Sequence, residues 1–267
     1  MIRPLVTIKS THQAIFALTV LAIISPMTIA QEDSKLTIIL STDFGVSDID
    51  FPAKLDQKLT YHVLTPGITF AYGDLYLTGK HGFSLSDADV SEEEEIGSAD
   101  REDTDITVGY RINKHLSIFT GFHSGKSEIK FVPRDPEDNS DATAFTDSYE
   151  EEGIHVGTSY SFSLGEAGAL SASVAYAKLD ADNTFNQNID DVTEGDATQL
   201  DDVGGRVSGD STGFSYGVRW TMSLTKKVFY AASFKVNDFK QDISIGGREF
   251  EADETITHFT MGLNWVL

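Results

Sequence analysis

The sequence predicts an all-β fold, an antiparallel β-barrel that crosses a membrane, and three observations carry that prediction. Apolar residues alternate with small or polar ones over stretches of roughly ten positions, the two-residue period of a strand whose faces meet different surroundings. The connections between these stretches alternate strictly between short and long. The final stretch, Phe259, Met261, Leu263, Trp265 and Leu267, keeps its alternation to the last residue given. Composition narrows the function. Among 267 residues there is no cysteine, which removes disulfide scaffolds, cysteine-held metals and thiol nucleophiles. A formal charge of −22 argues against nucleic acid as a partner, because neutralising phosphate needs clustered Lys and Arg.

Residues 1–30 read as a secretory signal peptide. Arg3 and Lys9 supply the positive start, and 14–24 form an apolar run too short to span a bilayer. Pro26 ends that run, and Thr28 and Ala30 place small residues where a signal peptidase cuts. Residues 31–267 are then one barrel domain.

The strands follow in order. Leu36, Ile38, Leu40 and Phe44 alternate with Thr37, Ile39, Ser41 and Asp43, and 59–72 carries Ile68, Phe70 and Tyr72 into a Gly73-Asp74 turn. Next come 75–85, Ile106 to Ile112 and 116–126. They are followed by Ile154 to Phe162, 170–176, Phe214 to Met222, Val228 to Val236 and the last strand. That makes ten strands. The alternative is eight, with 31–72 as an arm or plug, because Pro66 cannot donate to a ladder and interrupts a regular second strand. Short turns fall at 72–74, 113–115, 165–168 and 225–226, and long loops at 87–103, 132–152, 180–210 and 238–254. Short turns on one side and long loops on the other are the habit of barrels in membranes, which must close because lipid satisfies no open sheet edge.

The final strand resembles the carboxy-terminal signal that the barrel-assembly machinery reads, with Leu267 where a terminal Phe is usual. The hairpin from Gly109-Tyr110-Arg111-Ile112-Asn113 through Leu116-Ser117-Ile118-Phe119-Thr120-Gly121-Phe122 is similar to those of uncharacterised proteobacterial barrels. The chain thus resembles small Gram-negative outer-membrane β-barrel proteins. That resemblance implies the outer membrane as location and a monomer in contact with lipid and lipopolysaccharide. It implies no activity.

Candidate chemistry lies in three places. The long loops hold 32 of the 42 carboxylates, including Glu92 to Glu95 and Glu150 to Glu152. Such runs form a solvated, repulsive surface, or could associate with divalent cations; no spacing names a metal ligand. Lys80, Arg111, Arg219 and Lys235 have the inward parity of their strands, as do His123, His155 and His258. These are the expected lumen-facing charged and polar residues. No catalytic residue is assigned, since His123 and Ser124 face opposite ways on one strand, and no cofactor is implied. The expected function is a non-enzymatic structural or surface-interaction barrel with acidic extracellular loops. The alternative is a narrow pore for ions or small solutes.

Overall fold

The computed structural model describes residues 35–50, 58–90, 95–133, 145–185, 205–245 and 248–267. The expected signal peptide lies outside them, as do Glu92, Glu93 and Glu94. The strands are β1 (Thr37–Asp50), β2 (Lys58–Tyr72), β3 (Leu75–Ser86) and a two-residue β4 (Ala88–Asp89). They continue as β5 (Glu95–Arg111), β6 (Leu116–Pro133), β7 (Phe145–Ser163) and β8 (Ala169–Phe185). β9 (Gly205–Ser223), β10 (Val228–Ile245) and β11 (Arg248–Val266) complete the set. Each long strand pairs antiparallel with the next; β3 pairs β5, and β1 pairs β11 from Ile39 opposite Val266 to Asp50 opposite Thr255. The ring of ten long strands therefore closes, with β4 a short addition beside β5. The eight-stranded alternative with 31–72 as an arm falls, because β1 and β2 are part of the wall.

Pro66 is accommodated rather than excluded. It sits opposite Thr42 of β1, while on its other edge the β2–β3 ladder skips from Leu64–Phe83 to Gly67–Lys80. The missing N–H therefore falls where no partner is required.

Local chemistry makes the tight turns. Gly73 has φ of 60°, a left-handed conformation that only glycine adopts without cost. Asn113 Oδ1 accepts from the backbone N–H groups of His115 (2.8 Å) and Leu116 (2.9 Å), so a side chain closes that turn. Thr225 Oγ1 does the same for Lys227 and Val228. At Gly168, φ is 92° and a Cβ would lie 2.1 Å from the Thr221 carbonyl oxygen.

The outward face near these turns is an apolar belt. Val108, Tyr110, Ile118, Val156, Phe162, Leu263 and Trp265 are all exposed on it. Toward the loop end the polarity inverts while the parity persists. On β8, outward Leu170, Val174 and Tyr176 give way to Lys178 and Asp180, and inward Ser171 and Ser173 give way to buried Ala177 and Leu179. On β10, Asp238 and Lys240 point out while Phe239 and Gln241 are buried. Ile49, Leu59, Tyr61, Val63, Ala99, Phe131 and Ile256 join in one apolar core inside the loop end.

The acidic stretches are accordingly much shorter as loops than the sequence suggests. β5 already begins at Glu95, and β10 and β11 stay in register to Ile245 opposite Arg248. Alternation of outward apolar residues stops where the wall leaves the belt, but backbone pairing does not.

Candidate functional site in the barrel interior

Beside the apolar core the interior holds a buried ionic network. Arg101 on β5 is 2% exposed. Its Nη2 donates to Glu151 Oε1 (2.6 Å) and Asp103 Oδ1 (2.8 Å), and its Nη1 donates to Ser127 Oγ (3.2 Å). His123 bridges Glu151 (3.3 Å) and Asp105 (3.2 Å) through its two ring nitrogens. Tyr149 Oη donates to Glu254 Oε2 (2.7 Å), which also accepts from Gln241 Nε2 (2.9 Å). Gln241 Nε2 contacts Tyr149 Oη as well. Glu254 Oε1 is buried and has no hydrogen-bond partner among the described residues.

Arg101, Tyr149, Glu151 and Glu254 lie on the loop side of the belt, level with outward Glu102, Glu150, Glu152 and Asp253. Burial alone would raise the Glu151 carboxyl, but Arg101 and His123 hold it well below the usual range. Glu254 goes the other way. Burial and the nearby Glu151 push it up to about 7, against the hydrogen bonds from Tyr149 and Gln241. Two glutamates in one network are thus pushed in opposite directions, because only Glu151 touches the guanidinium.

Asp103, His123 and Glu151 offer ligand atoms within 4.8 Å of one another, the one such grouping among the described residues. Arg101 Nη2 already bonds both carboxylates, so a guanidinium fills the place a cation would take. Glu150 to Glu152 cannot chelate as a run: the strand sends Glu151 inward and its neighbours outward.

Toward the turns lies a cavity of about 540 Å³. Of the residues that parity places in the lumen, Lys80, His123, His155, Arg219, Lys235 and His258 line it. Arg111 does not; it is exposed at the turn end of β5. Lys80 Nζ is 2.8 Å from Asp43 Oδ2, and Arg219 Nη1 is 3.6 Å from the same oxygen. Arg219 Nη2 also donates to Asn264 Oδ1 at 3.3 Å. His155 meets Phe119 edge-on, with 6.1 Å between ring centroids. Lys235 and His258 sit opposite one another on β10 and β11. Arg101, Tyr149, Gln241, Glu151 and Glu254 escape the sequence reading because they fall in stretches read as loops. The signal was available, since each keeps the inward parity of its extended strand.

A closed ten-stranded ring with an apolar outer belt and a polar interior defines a β-barrel that lives in a bilayer. The model of the family described as outer membrane protein beta-barrel domain matches residues 16–266, and the chain belongs to that family. Its location is the outer membrane. No curated protein matches the sequence. Among solved structures, it is similar to the outer membrane protease OmpT from Escherichia coli, at 10% identity and a TM-score of 0.46, over 88% of this chain and 97% of that one. It is also similar to the translocator domain of the autotransporter NalP from Neisseria meningitidis, at 12% identity and 0.47, over 88% and 90%. The β domain of the Bordetella autotransporter BrkA gives 11% and 0.47, over 87% and 99%.

Proposed function

We propose that the protein is a closed, non-enzymatic outer-membrane barrel with a structural or surface-interaction role. The observation that carries this reading is the packed loop end. Ile49, Leu59 and Tyr61 are 0% exposed there, and Arg101 and Glu151 are nearly so. Residues 1–30 are removed on export in this reading, and the tight turns face the periplasm, as is usual for the architecture. The strand extensions with outward Glu102, Glu150, Asp180 and Asp238 then stand outside the cell as an acidic collar. Lipopolysaccharide surrounds the belt of a monomer, and the barrel-assembly machinery inserts it. Divalent cations bridge collar to lipopolysaccharide only through outward carboxylates, because the inward ones are already bonded.

A second reading, a narrow pore for ions or small solutes, draws on the cavity with Lys80, Arg219 and Lys235. Planar-bilayer recording separates the two. The closed barrel gives no stable conductance, whereas steady channels whose anion preference falls on neutralising Lys80 or Arg219 establish the pore.

A further inference from the structure

The cavity has an imbalance of charge. Lys80 and Arg219 share the single carboxylate of Asp43. Lys235 lines the same space and makes no ion pair and no hydrogen bond among the described residues. Two further carboxylates line the space: Asp103 is bonded by Arg101 at 2.8 Å, and Asp105 is bonded by His123 at 3.2 Å while attracting Lys235 from beyond contact distance. An ammonium held in a narrow, partly desolvated lumen without a carboxylate in contact is expensive, and Lys80, Arg101, Arg219 and Lys235 against Asp43, Asp103 and Asp105 on the cavity wall favour a further negative group.

The architecture also leaves room beside the free ammonium. Lys235 is flanked in register by Gly217 of β9 and His258 of β11. At Gly217 a Cβ would meet only Ser173 Oγ at 2.6 Å and the Phe234 carbonyl at 4.0 Å, so the absent side chain keeps that flank of Lys235 open. The volume of about 540 Å³ is within the range of small-molecule pockets. On the turn side of the cavity the inward residues are small and polar, as in the Ser161–Ser171 pair (2.8 Å).

We propose that this cavity is a binding site for a small anion bearing a carboxylate or phosphate group, held by Lys235 and completed by Lys80 and Arg219. Asp43 acts as an internal competitor: it occupies the two other cations until a ligand oxyanion shares them. The site lies inside the barrel, apart from the acidic collar, and shares Arg101, Asp103 and His123 with the network above it.

The test is calorimetric titration of the purified, folded barrel with inorganic phosphate and with succinate, succinamide being the neutral control. Heat-modifiable migration on gels verifies the fold of each variant. Saturable binding of either anion, and none of succinamide, is expected. Lys235→Met should weaken it at least about tenfold, and Lys235→Arg should retain it, since a charge-assisted bond is at stake. Asp43→Asn should tighten binding by freeing Lys80 and Arg219. Titration in nanodiscs with and without phosphatidylglycerol separates a free anion from a lipid headgroup: competition by the lipid assigns the site to the headgroup phosphate, and its absence to a free anion. Lack of saturable binding by both anions, or binding that Lys235→Met leaves unchanged, overturns the proposal.

Discussion

Replacing Glu254 by Gln should stabilise the protein, and should do so only above a particular pH. The carboxyl is buried beside Glu151 and lifted from its ordinary 4.5 to about 7. The folded chain therefore holds a proton there that the unfolded chain has already released. From about pH 4.5 upward, stability drains away through this group until pH passes roughly 7, after which the loss is constant. A lift of that size corresponds to about 3 kcal/mol at 1.36 kcal/mol per unit, and this is a ceiling, because Glu151 and Glu254 titrate as a pair. Gln keeps an oxygen to accept from both Tyr149 Oη and Gln241 Nε2 but carries no charge at any pH. Equilibrium urea unfolding in detergent or vesicles should thus show Glu254→Gln about 1–3 kcal/mol more stable than the parent at pH 8. Near pH 5 the two should coincide. Parallel stability profiles across this range, or a variant weaker at pH 8, would refute the assignment of a neutral Glu254.

Arg101→Leu should lose about 3–5 kcal/mol in the same assay, since it strands Asp103 and Glu151 inside the barrel without their cation. Leu59→Ala, at a fully buried position of the loop-end core, should cost about 2–5 kcal/mol while leaving heat-modifiable migration intact. An epitope inserted at Gly195, between β8 and β9, should be reached by antibody on intact cells, and one at Glu166 should not; the reverse pattern inverts the topology. Gly97 is unsuitable for such an insertion, because it is buried in β5 opposite Phe131.

The belt half of the barrel was legible because outward apolar residues and tight turns repeat from Leu75 to Leu267. The loop half was not, and the reason is chemical. In 238–243 the outward residues Asp238, Lys240 and Asp242 look like a polar loop, although Asn237, Phe239 and Gln241 carry the strand pattern on the other face. A reader who expects apolar residues outside stops at Val236. Pro66 misled in the opposite sense, since sequence does not reveal where a neighbouring ladder goes unpaired. Six of the seven candidate residues line the cavity, and Arg111 lies beyond it at the turn end of β5, since parity fixes direction and says nothing of depth. The Arg101 network joins residues as far apart as Tyr149 and Glu254, a proximity that only barrel closure creates.

The inversion of polarity along each strand bears on how the barrel selects its pairing while it assembles. Shifting one strand by a single residue exchanges its faces along the whole length. In the belt half, such a slip would turn Ser171 and Ser173 toward lipid; in the loop half, it would drive Lys178 and Asp180 into the apolar interior. An ordinary amphipathic wall penalises the error on one side of the membrane boundary. Here both media reject it at once, so the same defect is opposed by lipid at one end of the strand and by a dry core at the other. Mispaired intermediates are destabilised wherever along the strand zippering begins.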